Sequence, residues 1–449
     1  MRPRNYSASG AVWLVVMKIA LALASLLSIT AFELPAASQP ARPNILFILA
    51  DDTGIENYGC YGSDRFKGRT PNIDALAKSG LRFTRCYAEP LCGPSRTTLT
   101  TGRYVFRTGA INNPVTHATS FRNEPSVART LKQAGYATGM AGKWRQMGDS
   151  PGDWGYDEFI TDNTAGGWYW KNGYNKNGQH VDAGKEVYCP DVCMDFTKDF
   201  LRRHKDEPFY FYFPTHLVHG PILRTPDTKA GTSGAEALYE DNIVYMDKQV
   251  GELVAELEKL GLREKTLIVF SGDNGTARES GKIGGRQING HKGTTLEGGS
   301  RVPLIANWPG VTPPDKTLDD LVDFTDFYPT FAEVAGAKMP ADVKIDGHSF
   351  APQLRGEKGS PREWVFVQLG ARWYARNDGW KLDQAGDLYD LSDAPFVEKL
   401  VTADAQSDAA KASRQKLQAV LKELDPATGK TAIGEPKAKK KKRKAAANN

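Results

Sequence analysis

Three stretches of the chain are apolar without alternation over the length of a strand, and each is closed by polar residues. They are Asn44–Ala50 before Asp51-Asp52, Pro208–Phe213 before Thr215–Pro221, and Thr266–Ser271 before Gly272-Asp273-Asn274-Gly275. Such runs mark strands buried on both faces. A fourth strand, Tyr136–Ala141, is built of small residues and ends in Lys143 and Arg145. Helical patterns lie between them. Thr70–Gly80 has Pro71 near its start and Gly80 as its stop, Pro125–Ala134 is closed by Gly135, and Leu238–Leu260 carries apolar residues at helical spacing before Gly261. The alternation predicts an α/β fold with a large, mostly parallel central sheet flanked by helices. In such sheets ligands bind beyond the carboxyl ends of the strands, where Asp51, Asp52, Asp273 and Asn274 stand. After residue 356 short strand patterns at 365–368, 372–375, 380–382 and 387–389 precede a helix at 409–424, predicting a smaller antiparallel sheet with one helix. Residues 160–190 show little periodicity and read as a long loop. Within it Trp168, Tyr169 and Trp170 make either a stacking face for a sugar ring or a plug over the core.

Composition adds an export signal and removes one class of partner. The run Ala11–Phe32 is apolar apart from Lys18 and a few hydroxyls. It reads as a signal peptide over residues 1–38, with small residues at Ala36, Ala37 and Ser38 for cleavage and Met17 as an alternative start. Retention as a membrane anchor is the alternative, because the run approaches the ~20 residues that span a bilayer. The expected location is therefore periplasmic or secreted. A net charge of +5 suggests a nucleic-acid partner until its position is considered. Seven cations between Lys437 and Lys444 exceed it, leaving −2 on the rest. The tail, 431–449, reads as a disordered extension, and no nucleic acid is expected.

The densest chemistry lies in Leu91-Cys92-Gly93-Pro94-Ser95-Arg96-Thr97-Thr98-Leu99-Thr100-Thr101-Gly102-Arg103, a run too polar for ordinary core packing and read as a hydroxyl-rich turn after the strand Leu81–Tyr87. This run resembles the signature of the type I, formylglycine-dependent sulfatases of the alkaline phosphatase superfamily. Further blocks extend the resemblance in order over about residues 43–425: Gly142-Lys143-Trp144, Trp154–Phe159, His291–Pro303, Asp323–Phe331 and Asp346–Phe350. It implies a sulfatase catalytic domain over 39–355 and a small α+β subdomain over 356–430. It also implies that a formylglycine-generating enzyme reads Cys92, Pro94 and Arg96 and oxidises Cys92 to an aldehyde whose hydrate is the nucleophile. Four cysteines would remain, Cys60, Cys86, Cys189 and Cys193, with three pairings open to them. A Cys189–Cys193 loop and free buried thiols both fit.

By the same resemblance, Asp51, Asp52, Asp273, Asn274 and the oxygen replacing the Cys92 thiol bind one divalent cation. An all-oxygen set suits Ca²⁺, with Mg²⁺ as the alternative. Arg96 would hold the hydrate, Lys143 and Lys292 the sulfate oxygens, and His219 would protonate the departing alcohol. Arg145 departs from the family, whose Gly-Lys-Trp stretch continues with histidine. Arginine cannot serve as a base near neutral pH, so His216, His291 or a water takes that part, or turnover is slow, or specificity has changed. The expected activity is sulfate-ester hydrolysis on a sulfated small molecule or glycan, a carbohydrate by preference. The alternatives are a phosphodiesterase or phosphonate hydrolase on the same scaffold, and a sulfated-glycan-binding protein that has lost turnover.

Overall fold

All seven side chains of β1 (Asn44–Ala50) are buried, and they alternate between two cores. Leu46, Ile48 and Ala50 face one, Ile45, Phe47 and Leu49 the other. Each large apolar side chain so buried stabilises the fold by about 1.5–3 kcal/mol. The computed structural model describes residues 42–144, 147–162, 169–277 and 280–429. The expected signal peptide, the Lys-rich tail, Arg145 and Trp168 lie outside the described residues. No helix of the described residues is long and apolar enough to cross a membrane.

In chain order β1 is followed by β2 (Leu81–Tyr87), β3 (Ala137–Gly142), β4 (Glu158–Asp162), β5 (Trp170–Lys176), β6 (Gln179–Tyr188), β7 (Phe209–Pro214) and β8 (Thr266–Gly272). A two-residue hairpin, β9 (Lys282–Ile283) and β10 (Arg286–Gln287), precedes β11 (Arg301–Asn307) and β12 (Lys316–Asp323). Ten of these strands form one sheet in the order β12-β2-β11-β8-β1-β7-β3-β4-β5-β6. The central five, β8, β1, β7, β3 and β4, are mutually parallel. Because β11 is antiparallel to both β8 and β2, β2 runs in the direction of the central five. Helices Pro71–Lys78, Cys189–Arg203 and Ala235–Lys259 cover one face through Ile73, Phe200 and Leu253, and Val127–Gln133 and Phe327–Ala335 cover the other through Leu131 and Phe331.

Two local expectations are corrected. Residues 160–190 are not a loop, since β4 ends there and β5 and β6 extend the sheet as an antiparallel hairpin. Its two-residue turn is Asn177-Gly178, with φ of 52° and 84°, the Asn-Gly pair that favours such turns. β6 is the sheet edge and is exposed from Gln179 to Glu186, so no apolar alternation betrays it. The Cys92 run is not a turn but a helix, Cys92–Thr101, buried along its whole length. Three of its hydroxyls bond back four residues: Ser95 donates to Leu91 O (3.0 Å), Thr97 to Gly93 O (3.0 Å) and Thr101 to Thr97 O (2.7 Å), while Thr98 Oγ1 is buried without a partner among the described residues. Satisfied in this way, polar side chains can be buried without the usual penalty.

The small sheet is an antiparallel meander of β13 (Val365–Leu369), β14 (Arg372–Arg376), β15 (Trp380–Asp383), β16 (Leu388–Asp390) and β17 (Lys399–Val401). Leu417 and Leu424 of the helix Asp408–Leu424 join Phe366, Leu382 and Leu388 in its core. It meets the large sheet through buried polar contacts. Arg376 donates to the Tyr87 hydroxyl and to Glu297 (3.2 Å), and the Gln368 N–H donates to Glu89 (2.7 Å).

Candidate active site

Parallel strands end on one edge, so the residues after β1, β3, β7 and β8 arrive together: Asp51 and Asp52, Lys143, His216 and His219, Asp273 and Asn274. β2 runs the same way and delivers Cys92 to that edge, while β11 starts there, which brings in Lys292 from the segment ahead of it. Two backbone positions allow the close fit. Gly142 has φ of 131°, and a Cβ on it would lie 2.0 Å from Pro214 O, the carbonyl that accepts from Lys143 N–H at 2.8 Å. Asp52 adopts φ of 57°, a left-handed conformation costly for a residue with a side chain. Its N–H donates to Asp273 Oδ1 at 3.1 Å.

Carboxylates and cations interlock at this edge. Lys143 Nζ lies 2.5 Å from Asp51 Oδ2. Arg96 donates from Nε (3.0 Å) and Nη2 (2.8 Å) to Asp273 Oδ2, and its Nη2 is 3.8 Å from Asp51 Oδ1. Asp52 Oδ1 accepts from Lys292 Nζ and from Asn274 Nδ2 (2.9 Å). His219 Nδ1 is 2.6 Å from Gly220 O, and a carbonyl can only accept, so Nδ1 carries a proton. The other nitrogen, Nε2, lies 4.0 Å from Asp52 Oδ2. Burial pushes the Asp51 carboxyl up, but the surrounding cations, Lys143 first, outweigh it and hold the group below its ordinary range. Burial also pushes the Cys92 thiol up, with Lys143 opposing.

The residues present fit a hard cation. Asp51, Cys92 and Asp273 each offer a donor atom, all within 4.8 Å of one another. Asp51 Oδ1 and Asn274 Oδ1 are buried without a hydrogen-bond partner among the described residues. Leaving such oxygens unpaired costs roughly 1–3 kcal/mol each, and coordination would remove that cost.

The sulfatase family profile matches residues 43–337, and that of the N-sulphoglucosamine sulphohydrolase C-terminal region matches 291–423. The chain belongs to the sulfatase family. It is accordingly a sulfuric ester hydrolase. It is 30% identical to human arylsulfatase D, with 78% of this chain and 76% of that one covered. To rat steryl-sulfatase it is 32% identical, with 82% and 79% covered. Among solved structures it resembles Ps i-CgsB in complex with k-i-k-neocarrahexaose, with TM-score 0.72, 27% identity, and 87% and 94% of the two chains covered.

In this sulfatase the sheet brings Asp51, Asp52, Cys92, Arg96, Lys143, His219, Asp273, Asn274 and Lys292 to one edge. Arg145 lies outside the described residues. A contact with no sequence signal is that of Asn113, whose Oδ1 accepts from Gly93 N–H (2.9 Å) and whose Nδ2 is 3.6 Å from Cys92 Sγ. With its oxygen so held, its amide N–H groups are turned to residue 92. Tyr169 is fully buried and its hydroxyl donates to His219 O (2.7 Å), so it plugs the core and fixes the histidine's turn. Trp170 is more exposed, and its indole N–H donates to Arg224 O (3.0 Å). Beside His219 a cavity of about 600 Å³ is lined by Gly220, Pro221, Tyr239, Phe66, Asn57 and Arg65, among others. A larger cleft of about 910 Å³, between the helix Val127–Gln133 and residues 336–343, holds none of the candidate residues. All five cysteines are free thiols in this structure.

Proposed function

We propose that this sulfatase hydrolyses sulfate esters of a carbohydrate, outside the cytoplasm, using formylglycine made from Cys92 and one divalent cation, calcium in preference to magnesium. The observation that carries the reading is the Cys92 sulfur within 4.8 Å of carboxylate oxygens of Asp51 and Asp273, beside orphaned buried oxygens and near Arg96, Lys143 and Lys292. When bound, the cation supplies Lewis-acid stabilisation of a nucleophilic oxygen and of sulfate charge. The hydrated aldehyde supplies an oxygen nucleophile where the Cys92 sulfur now stands. The chain's own residues do the rest. Asp51, Asp52, Asp273 and Asn274 hold the cation, and Arg96 braces Asp273 and the hydrate. Lys143 and Lys292 carry fixed positive charge to the sulfate oxygens, each such donor contributing on the order of 3 kcal/mol to the transition state. His219, in the doubly protonated form that also carries a proton on Nε2, gives that proton to the departing alcohol oxygen and keeps the Nδ1 proton hydrogen-bonded to Gly220 O.

Two supports favour a carbohydrate. The relative Ps i-CgsB is seen with a ligand that is by its name a hexaose. The cavity beside His219 joins aromatic Tyr239 and Phe66 to polar Asn57 and Arg65, the mixture that sugar rings use. Export is supported by the apolar run Ala11–Phe32 and the small residues after it; a formylglycine-generating enzyme is then the maturation partner. The deciding experiment is peptide mass spectrometry of active enzyme, where residue 92 should be about 18 Da lighter than cysteine. Unmodified Cys92 in fully active protein would sink the mechanism. A panel of sulfated glycans, a steryl sulfate and matched aryl sulfate and phosphate esters tests the substrate. Turnover of the steryl sulfate with no glycan desulfated would overturn the carbohydrate reading.

A further inference from the structure

Beneath the catalytic edge lies a second cluster of ligand-type side chains that sulfate chemistry leaves unused. Cys189 and Cys193 stand four residues apart at the start of the helix Cys189–Arg203, so their side chains share one face. His216 follows β7. A sulfur from each cysteine and a ring nitrogen of His216 lie within 4.8 Å of one another, and all three residues are buried. Asp162, at the end of β4, places Oδ1 3.4 Å from His216 Nε2 and Oδ2 3.4 Å from Lys171 Nζ.

We propose that Cys189, Cys193 and His216 form a structural site for a thiophilic divalent cation, zinc, with Asp162 orienting the imidazole. Zinc–sulfur and zinc–nitrogen bonds of about 2.3 and 2.0 Å put ligand atoms roughly 3.5–4 Å apart around a tetrahedron, against a separation of at most 4.8 Å here. The carboxylate behind the histidine is the usual companion of a metal-bound imidazole. Charge also balances. Binding exchanges two thiol protons for one Zn²⁺, so the two thiolates and the ion sum to zero, while Asp162 is met by Lys171. The hydrogen bond with the adjacent Cys189, and then burial, push the Cys193 thiol up.

The two candidate sites differ in kind. The Asp51 site offers mainly oxygen and suits a hard cation, whereas the cysteine pair offers sulfur and selects a soft one. Zinc here would join the helix Cys189–Arg203 to the turn after β7. Tyr169 donates to both His216 O (3.3 Å) and His219 O (2.7 Å) within that turn, so the cross-link would steady the segment that presents His219. A histidine held this way is also withdrawn from acid–base work, which leaves His291 or water to stand in for the histidine that Arg145 replaces.

Elemental analysis of the purified full-length enzyme after exhaustive dialysis tests this directly. One zinc per chain is expected, and it should fall to none in a Cys189→Ser, Cys193→Ser enzyme that keeps its hard cation. If that variant does not fold, titrating the unmutated enzyme with an organomercurial in the presence of a zinc indicator should release one equivalent of zinc. Protein produced with cobalt should show sulfur-to-cobalt charge-transfer absorption. Zinc retained in the double variant, no zinc in the unmutated enzyme, or a Cys189–Cys193 disulfide in the denatured, unreduced protein would each overturn the site. None of these readouts depends on formylglycine or on turnover.

Discussion

Lys143 Nζ and Asp51 Oδ2 are 2.5 Å apart in a fully buried ion pair, although 92 positions separate the two residues. Burial alone would push the ammonium towards its neutral form, but the Asp51 charge outweighs it and holds the lysine protonated. Breaking such a pair from one side strands the other charge, at a typical cost of about 3–5 kcal/mol. Lys143→Ala should therefore lower the denaturant midpoint by the equivalent of about 3 kcal/mol. It should also cut kcat/KM by roughly 100- to 1000-fold, as for other losses of a transition-state donor. Full activity with a lowered midpoint would leave Lys143 a structural role only.

The hard-cation site makes a separate prediction. Asp273→Asn keeps the shape of the side chain but removes a charge that Arg96 braces through two hydrogen bonds. Cation affinity should fall by at least about 100-fold, more than the loss typical of residues behind the ligands. Chelation should silence the unmutated enzyme, and Ca²⁺ should restore it. Undiminished turnover after exhaustive chelation, with no metal detected, would refute the ligand assignment.

Legibility in the sequence followed burial. β1, β7 and β8 were readable because strands covered on both faces are apolar throughout, and the polar residues that interrupt them at Asp51, Thr215 and Asp273 mark the site edge. β5 and β6 were not, because the edge strand β6 is exposed and needs no apolar alternation while the buried positions of β5 are Lys171, Gly173 and Tyr174 rather than an apolar set, although Asn177-Gly178 signalled their turn. The Cys92 helix was hidden by its hydroxyls, which look like loop residues although those of Ser95, Thr97 and Thr101 bond to carbonyls four residues back. Asn113 had no signal at all. Its contact with Gly93 N–H depends on how a segment 20 residues later folds back.

Arg145 tests the sequence-based reading where it departs from the family. If the arginine adds positive charge beside Lys143, anionic product should leave slowly, and rapid mixing should show a burst of alcohol before a slow steady state. Arg145→His should then shrink the burst by speeding the second step. If the arginine instead contacts a second acidic group on the substrate, the same change should raise KM with little effect on kcat. A substitution that moves neither quantity would sink both accounts.

Stability should also carry a signature of Asp323, which joins the two sheets. Its Oδ1 accepts from Thr325 N–H (2.9 Å), and its Oδ2 lies 3.4 Å from the Phe366 nitrogen of the small sheet. Burial pushes its carboxyl up to about 6; Arg362 opposes the shift and Asp326 adds to it. The ordinary value is 3.8, so the folded protein holds this proton over a window in which the unfolded chain has released it. The group's favourable contribution is complete below the ordinary value and is lost as pH rises through about 6. A shift of that size is worth about 3 kcal/mol across the window. Urea midpoints measured from pH 4 to 7 should therefore fall less steeply with pH in Asp323→Asn than in the unmutated protein. The absolute midpoint also registers any lost acceptor for the Phe366 N–H, so the slope is the quantity that decides. Identical slopes in the two proteins would show that Asp323 titrates alike folded and unfolded.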